Sequence, residues 1–368
     1  MAIGNDNRHI TLGCHSSETA LEIIKINTGG IMSFSFRFLM TAVIAVTLSA
    51  CSTVYRPTAW FAYDYTKTYA IPYTMTTDDV EAACTMTGAM FPAMMSFTEL
   101  TSDPDKIAIS MNMLMGSCSE HTAIEEVLNY ARALKSQDIN EAKDARIREK
   151  RAYAKTTARQ YAAYQHMVAE FGEPGGEKCP KLKKKDEIYW MMGNLSGLQA
   201  VMSDLKSQTT VNVPKDIAMK AVRGMQCLDA ERWWGLPQAL EAGFWVMMPE
   251  RAPEGVDPWE TLQQAADMAT ESGVRLTHAI QVVMADSAGD TERLKAAIRQ
   301  HAESLETTES NPKYRLIDVM ATRQIQAISD RLWTEATGSR TPMGELGTFW
   351  DDVKTPATNF DIDDLLGE

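Results

Sequence analysis

The side chains here that can do chemistry are thiols, thioethers and a few imidazoles. The 368-residue chain holds 6 cysteines, 23 methionines and 6 histidines. Thiols can be acylated, joined as disulfides or bound to soft metals, and spacing separates these uses. Cys51 closes the run Leu48-Ser49-Ala50-Cys51, directly after an apolar stretch from Phe38 to Leu48 with Arg37 at its front edge. A positive flank, a short apolar segment and small residues before a cut site make up a secretory signal. Cys84, Cys118, Cys179 and Cys227 show no Cys-x-x-Cys or Cys/His ligand spacing, so no zinc site is expected. His121, His166, His278 and His301 are well separated. There is no His-Glu-x-x-His, no Gly-x-Ser-x-Gly and no Walker loop, and Gly172 to Gly176 lacks the lysine and serine a phosphate loop needs. Glu125 and Glu126 read as a solvated face. The expectation is no enzyme activity, no metal and no cofactor.

Met90, Met94, Met95, Met111, Met113, Met115, Met191, Met192, Met247 and Met248 could bind Cu(I) through their thioethers. Their helical spacing assigns them instead to adaptable core packing or the lining of a ligand site.

Leu-Ser-Ala-Cys at this distance from Arg37 looks like a bacterial lipobox. In that class the peptidase cuts before the cysteine. The Cys51 thiol then carries a diacylglycerol, and its new amino group an acyl chain such as palmitate. The apolar run is short of the roughly 20 residues a helical span needs. The competing readings are an ordinary secretory signal or a single-pass anchor. Met32 makes a normal start for the signal. Residues 1–31 are therefore expected to precede the true start or to be disordered, 32–50 to be signal peptide and 51–77 a lipidated tether.

The net charge is −13, and residues 1–50 carry three basic and three acidic groups, so the mature part keeps all of it. An acidic chain is a poor partner for nucleic acid or for an anionic bilayer surface. The one basic cluster, Lys178, Lys181, Lys183, Lys184 and Lys185, reads as a solvated connection.

From Thr77 onward nearly every segment has a helical period, and none alternates as a strand would. Helices are expected over 78–100, 104–118, 123–134 and 139–171, with a stop at Gly172. The second half continues over 186–205, 215–228, 233–248, 259–272, 276–286, 291–307 and 313–336. This predicts an all-α chain of antiparallel helical hairpins, a TPR-like α-solenoid or helical-repeat bundle spanning 78–336. The repeat spacing is nearer 40 than the 34 residues of tetratricopeptide repeats. Residues 337–368 are expected to be a disordered acidic tail.

Outside the cytoplasm disulfides are allowed, and four cysteines permit three pairings. A hairpin turning near Ser102 puts Cys84 and Cys118 equally far from the turn. The same logic sets Cys227 near Cys179. Tyr189, Trp190, Trp233, Trp234 and Trp245 cluster in the central hairpins. Core is their default, and they are also the first expectation for the wall of a ligand groove.

An ordered set of marks resembles the T component of lipoprotein-type TRAP transporters, the TatT family. They are the lipobox at Cys51, Asp103-Pro104-Asp105, Ala152-Tyr153 with Arg159-Gln160-Tyr161, Ile188-Tyr189-Trp190, Pro214-Lys215 and Leu228-Asp229. Ala239 to Gly243, Ala265-Ala266 ending at Gly273, and Arg315-Leu316 with Arg323 follow. Where the family often has His-Phe and Tyr-Val, this chain has Ala265-Ala266-Asp267 and Leu276-Thr277-His278. The resemblance implies a periplasm-facing lipoprotein of a TRAP system. It would bind a periplasmic solute-binding protein, enclose a groove for an apolar ligand and be compatible with a homo-oligomer. Ser52 after the lipidated cysteine favours the outer over the inner membrane. The alternative is a membrane-tethered scaffold or adaptor unrelated to transport, with a closed, packed interior.

Overall fold

A computed structural model describes residues 55–100 and 104–352, and no strand occurs among them. The chain divides after Pro57. In the first unit, residues 55–57 are helical. All that follows concerns the unit from Thr58. Cys51, the signal segment and the acid-and-leucine end of the tail lie outside the described residues.

The first helix, α1, covers 58–74, so the described part of the expected tether is helical. Its face bearing Ala59, Tyr63, Thr66 and Thr74 is buried. The Tyr63 hydroxyl donates to the Met94 carbonyl at 2.9 Å. The turn Thr66–Ala70 is π-helical. Pro72 follows it and has no N–H to return to the preceding turn, so the winding slackens there.

Next come α2 (Val80–Ser96) and α3 (Asp105–Lys135). The α2 cap is Asp79, which accepts from the Ala82 amide at 2.8 Å. The Thr77 hydroxyl, two residues earlier, accepts from the Asp79 amide at 3.1 Å. The two helices expected over 104–118 and 123–134 are one. Between Cys118 and Ala123 there is neither Gly nor Pro, and the Ser119 hydroxyl folds back on the Met115 and Gly116 carbonyls at 3.0 and 2.9 Å.

α3 forms a long hairpin with α4 (Ile139–Phe171), which Asp138 caps and Gly172 ends at φ 89°. α5 (Glu187–Lys206) then crosses α4 through two glycines. A Cβ on Gly193 would lie 2.2 Å from Met167 Cβ, and one on Gly197 would lie 2.4 Å from Tyr164 Cδ2. Only glycine admits that approach, and it brings the buried Trp190 into the central cluster.

The remaining helices are α6 (Ile217–Met225), α7 (Leu236–Met247), α8 (Pro258–Ser272), α9 (Leu276–Ser287), α10 (Thr291–Thr307) and α11 (Arg315–Thr337). The largest core joins α2–α6 to Trp233, Trp234 and Leu316. A small cluster rich in alanine lets α7 and α8 pack closely, and a third lies between α9, α10 and α11. α11 returns to the front of the domain, where the Leu316 amide donates to the Met75 carbonyl at 3.0 Å. Among the described residues the fold is thus all-α, a series of helical hairpins in which α11 packs on the earlier ones.

Two covalent ties cross these elements. Cys84 is bonded to Cys118, joining α2 to α3, with Cα atoms 5.9 Å apart. Cys179 is bonded to Cys227, with Cα atoms 5.5 Å apart, joining the loop before α5 to the end of α6.

Arg275 and Asp318 form a fully buried ion pair at 2.6 Å. The guanidinium also donates to Ser304 Oγ at 2.9 Å, to the Ser304 carbonyl at 2.8 Å and to the Thr308 carbonyl. A buried charge is tolerated when its hydrogen bonds are filled in this way.

The boundary expected at 337 falls too early. Residues 338–352 fold onto α10 and α11, with Phe349 buried. Lys295 Nζ reaches the two Asp351 oxygens at 2.8 and 2.6 Å, and Trp333 Nε1 donates to the Thr348 carbonyl at 3.0 Å. The Gly, Pro and Thr content reads as a free tail, but one aromatic anchor and two acids opposite α10 are enough to dock it.

Candidate functional site

A cavity of about 310 Å³ opens between α2, α3, α5, α9 and α11. Each helix contributes one stripe at its own period. α3 supplies Met113, Ser117, His121 and Ile124; α5 supplies Met191, Leu195 and Gln199; α11 supplies Ile317, Met320, Ala321 and Gln324. Val80 and the Cys84–Cys118 bond close one wall, and Leu276 at the start of α9 closes another.

The walls are mostly apolar, and three of the lining residues are methionines, whose unbranched thioethers adapt to different shapes. A dry cavity of about half this volume accommodates benzene. This one is at the lower end of the roughly 300–1,000 Å³ typical of small-molecule sites.

Polar groups gather at one level. The Cys84–Cys118 bond sets the register of α2 on α3, and Lys135 Nζ to the Ala336 carbonyl at 2.6 Å sets that of α11 on α3. Together these bring Glu81, His121 and Arg323 level with one another, and Arg323 pairs with Glu81 at 2.7 Å. His121 lies 3.8 Å from Glu125. Its imidazole is held below the ordinary range, first by burial and then by the Arg323 charge, with Glu125 and Glu81 pulling the other way. Glu125 is held below the ordinary carboxylate range, chiefly by the hydrogen bond from Arg340. Glu125 is therefore an ion-pair partner rather than a bare solvated face, as is Glu126, which Arg148 Nε reaches at 2.9 Å.

Below this level sits Gln199. Ser110 Oγ lies 3.6 Å from Met192 Sδ, a register of α3 on α5 that sets Gln199 beside Ser117, about one turn under His121. The Gln199 side-chain oxygen is buried and has no hydrogen-bond partner. Buried polar atoms are nearly always paired, so this acceptor in a cavity wall is a place for a ligand group or water.

None of the five aromatic groove candidates lines this cavity. Trp190 is in the core with its indole N–H donating to the Gly224 carbonyl at 2.8 Å. Trp233 donates to Glu187 at 2.9 Å, and Trp234 packs edge-on to Tyr314 with ring centroids 4.7 Å apart. Tyr189 is buried in the same cluster, and Trp245 flanks the α7–α8 cluster. Broad rings fill the centre of the bundle because they bury the most apolar area there. The open space is left where smaller, flexible side chains meet. The basic loop residues Lys178, Lys181, Lys183, Lys184 and Lys185 are exposed.

Among the described residues no three His, Cys, Asp or Glu side chains converge as a metal site, and no helix is long and apolar enough to cross a membrane. No protein-family description, characterised protein or solved structure matches this chain.

Proposed function

We propose that this chain is a lipid-anchored, periplasm-facing binding protein that holds a small amphipathic molecule in the α2–α3–α5–α11 cavity and serves as the helical component of a TRAP-type transport system. The observation that carries the ligand part is the 310 Å³ methionine-lined cavity with the unpaired Gln199 oxygen in its wall. An apolar body would replace water against Met113, Leu195 and Met320, and a polar head would lie level with His121 and Arg323. The transport part is supported by the Cys51 lipobox and by the ordered marks shared with the T-component family. A scaffold with a closed, packed interior is disfavoured by the open space itself.

Titration with octanoate and octanol tests the ligand reading. Ala321→Phe places a ring in the cavity and should abolish binding of both while leaving the helical content unchanged. Equal affinity in Ala321→Phe and the native protein would place the ligand elsewhere. Cys51→Ser should release the chain from membranes, and pull-down from an envelope extract should recover a solute-binding protein. A native mature N-terminus whose mass shows no lipid on Cys51 would sink the lipoprotein reading.

A further inference from the structure

One face of α1 is covered by the domain and the opposite face is bare. Ala59, Tyr63 and Thr66 are buried. Phe61, Tyr65, Tyr69 and Tyr73 recur at every fourth position and are 65%, 51%, 62% and 77% exposed, with Trp60 beside them at 65%. The rings form a ladder. Phe61 and Tyr65 stack with centroids 6.4 Å apart, and Tyr65 and Tyr69 follow at 5.8 Å.

On a regular α-helix each four-residue step drifts sideways by about 40°. The π turn Thr66–Ala70 sits in the middle of the ladder and unwinds part of that drift, so the rings stay on one face. The stripe is about 18 Å long at 1.5 Å per residue. Exposed apolar area of this continuity marks an interaction surface rather than scattered surface residues.

The position of the stripe in the chain says what covers it. Thr58, at the start of α1, follows Cys51 by seven residues. Even fully extended, these reach no more than about 25 Å. Tyr and Trp have apolar bodies and polar tips, a combination suited to the headgroup layer of a bilayer. Between Trp60 and Tyr73 the only charges are Asp64 and Lys67, which cancel, so the stripe itself adds no repulsion from anionic lipid.

We propose that the aromatic face of α1 lies in the headgroup layer of the bilayer that carries the Cys51 anchor, making α1 a membrane-surface helix that fixes the orientation of the domain. The choice of bilayer as partner rests on the lipoprotein reading of Cys51, and two separate readouts keep the claims apart.

The full chain is reconstituted in phosphatidylethanolamine–phosphatidylglycerol vesicles with bromine near the headgroup end of the acyl chains. Bromine quenches an indole only at close approach. Quenching relative to plain vesicles should be present in the native chain, lost in Trp60→Phe and retained in Trp350→Phe. A Phe61→Ser, Tyr65→Ser, Tyr69→Ser variant of unchanged helical content should lose it too. Quenching that persists unchanged in Trp60→Phe, or is absent in the native chain, overturns the proposal. Absence of quenching together with a native dimer that the triple variant turns into monomer would assign the face to a second copy and overturn it as well. The mass of the mature N-terminus reports only on the anchor: a Cys51 that carries no lipid defeats the lipid reading without touching the Trp60 result.

Discussion

Arg323, from α11, lies 2.7 Å from Glu81, in the first turn of α2, where both line the cavity. The Glu81 side chain is 73% exposed, so the pair is screened and contributes no more than about 1 kcal/mol. Its interest is positional: a guanidinium at the polar end of an apolar cavity is already occupied by a carboxylate. Glu81→Gln should free Arg323 for an anionic head. Octanoate should then bind about two- to five-fold tighter, a gain that added salt removes, while octanol should be unchanged. Calorimetric titration of the two probes checks this.

Gln199 gives an effect of opposite sign on stability and binding. Its oxygen is buried without a partner, and such a group costs about 1–3 kcal/mol. Gln199→Met keeps the length of the side chain and removes the unpaired atom. The urea midpoint of the unliganded protein should rise, by about 1 kcal/mol in stability. Octanol, which can donate to the missing oxygen, should bind more weakly, by up to about ten-fold. A variant less stable than the native chain would mean that the oxygen is satisfied by ordered water.

The helices were legible because their signals are local: Gly172 and Gly273 as stops, apolar residues every third or fourth position. The merging of 104–118 with 123–134 was not, because polar residues such as Ser119 mimic a loop while their side chains bond back into the helix. The cavity was invisible for another reason. Gln199, His121 and Arg323 each sit on an ordinary helix, and only the register of α2, α3, α5 and α11 makes them neighbours. The aromatic residues drew attention as a groove wall, yet ring size drove them into the centre of the bundle.

The Cys84–Cys118 bond is part of the cavity wall, and the Cys179–Cys227 bond is not among its lining. Closing a loop of 34 residues restricts the unfolded chain by about 4 kcal/mol on the chain-entropy account. Cys84→Ser with Cys118→Ser should lower stability by about 2–4 kcal/mol and also weaken octanoate, since α2 loses its fixed register on α3. Cys179→Ser with Cys227→Ser should lower stability with octanoate affinity unchanged. Denaturation and titration on the same samples separate the two effects.

His278 and His301 are fully buried, with ring centroids 5.4 Å apart edge to face. Each bonds through Nε2, His278 to Thr270 Oγ1 at 2.9 Å and the Ala266 carbonyl at 3.0 Å, His301 to Thr322 Oγ1 at 3.1 Å. Neither Nδ1 has a partner. Burial pushes His278 down to about 4 and His301 down to about 3, with the neighbouring ring acting second on His301 and the Arg275 charge adding to both. Unfolded, both imidazoles titrate near 6.5. A group whose folded pKa lies below its unfolded value is protonated first in the unfolded chain, so acid favours unfolding across the gap. Stability should be level from pH 8 to 7, begin to fall below about 6.5 and keep falling to about 4, a loss of several kcal/mol at about 1.4 kcal/mol per unit for each imidazole. Glu125 and Asp351, whose pKa values are lowered by Arg340 and Lys295, add to the loss only below the ordinary carboxylate range, near pH 4. Urea midpoints measured from pH 8 to 4 in the native chain and in His301→Gln isolate the imidazoles. The variant should lose about half of the slope between pH 6.5 and 4, the part left being that of His278, and an identical slope would assign the acid sensitivity to other groups.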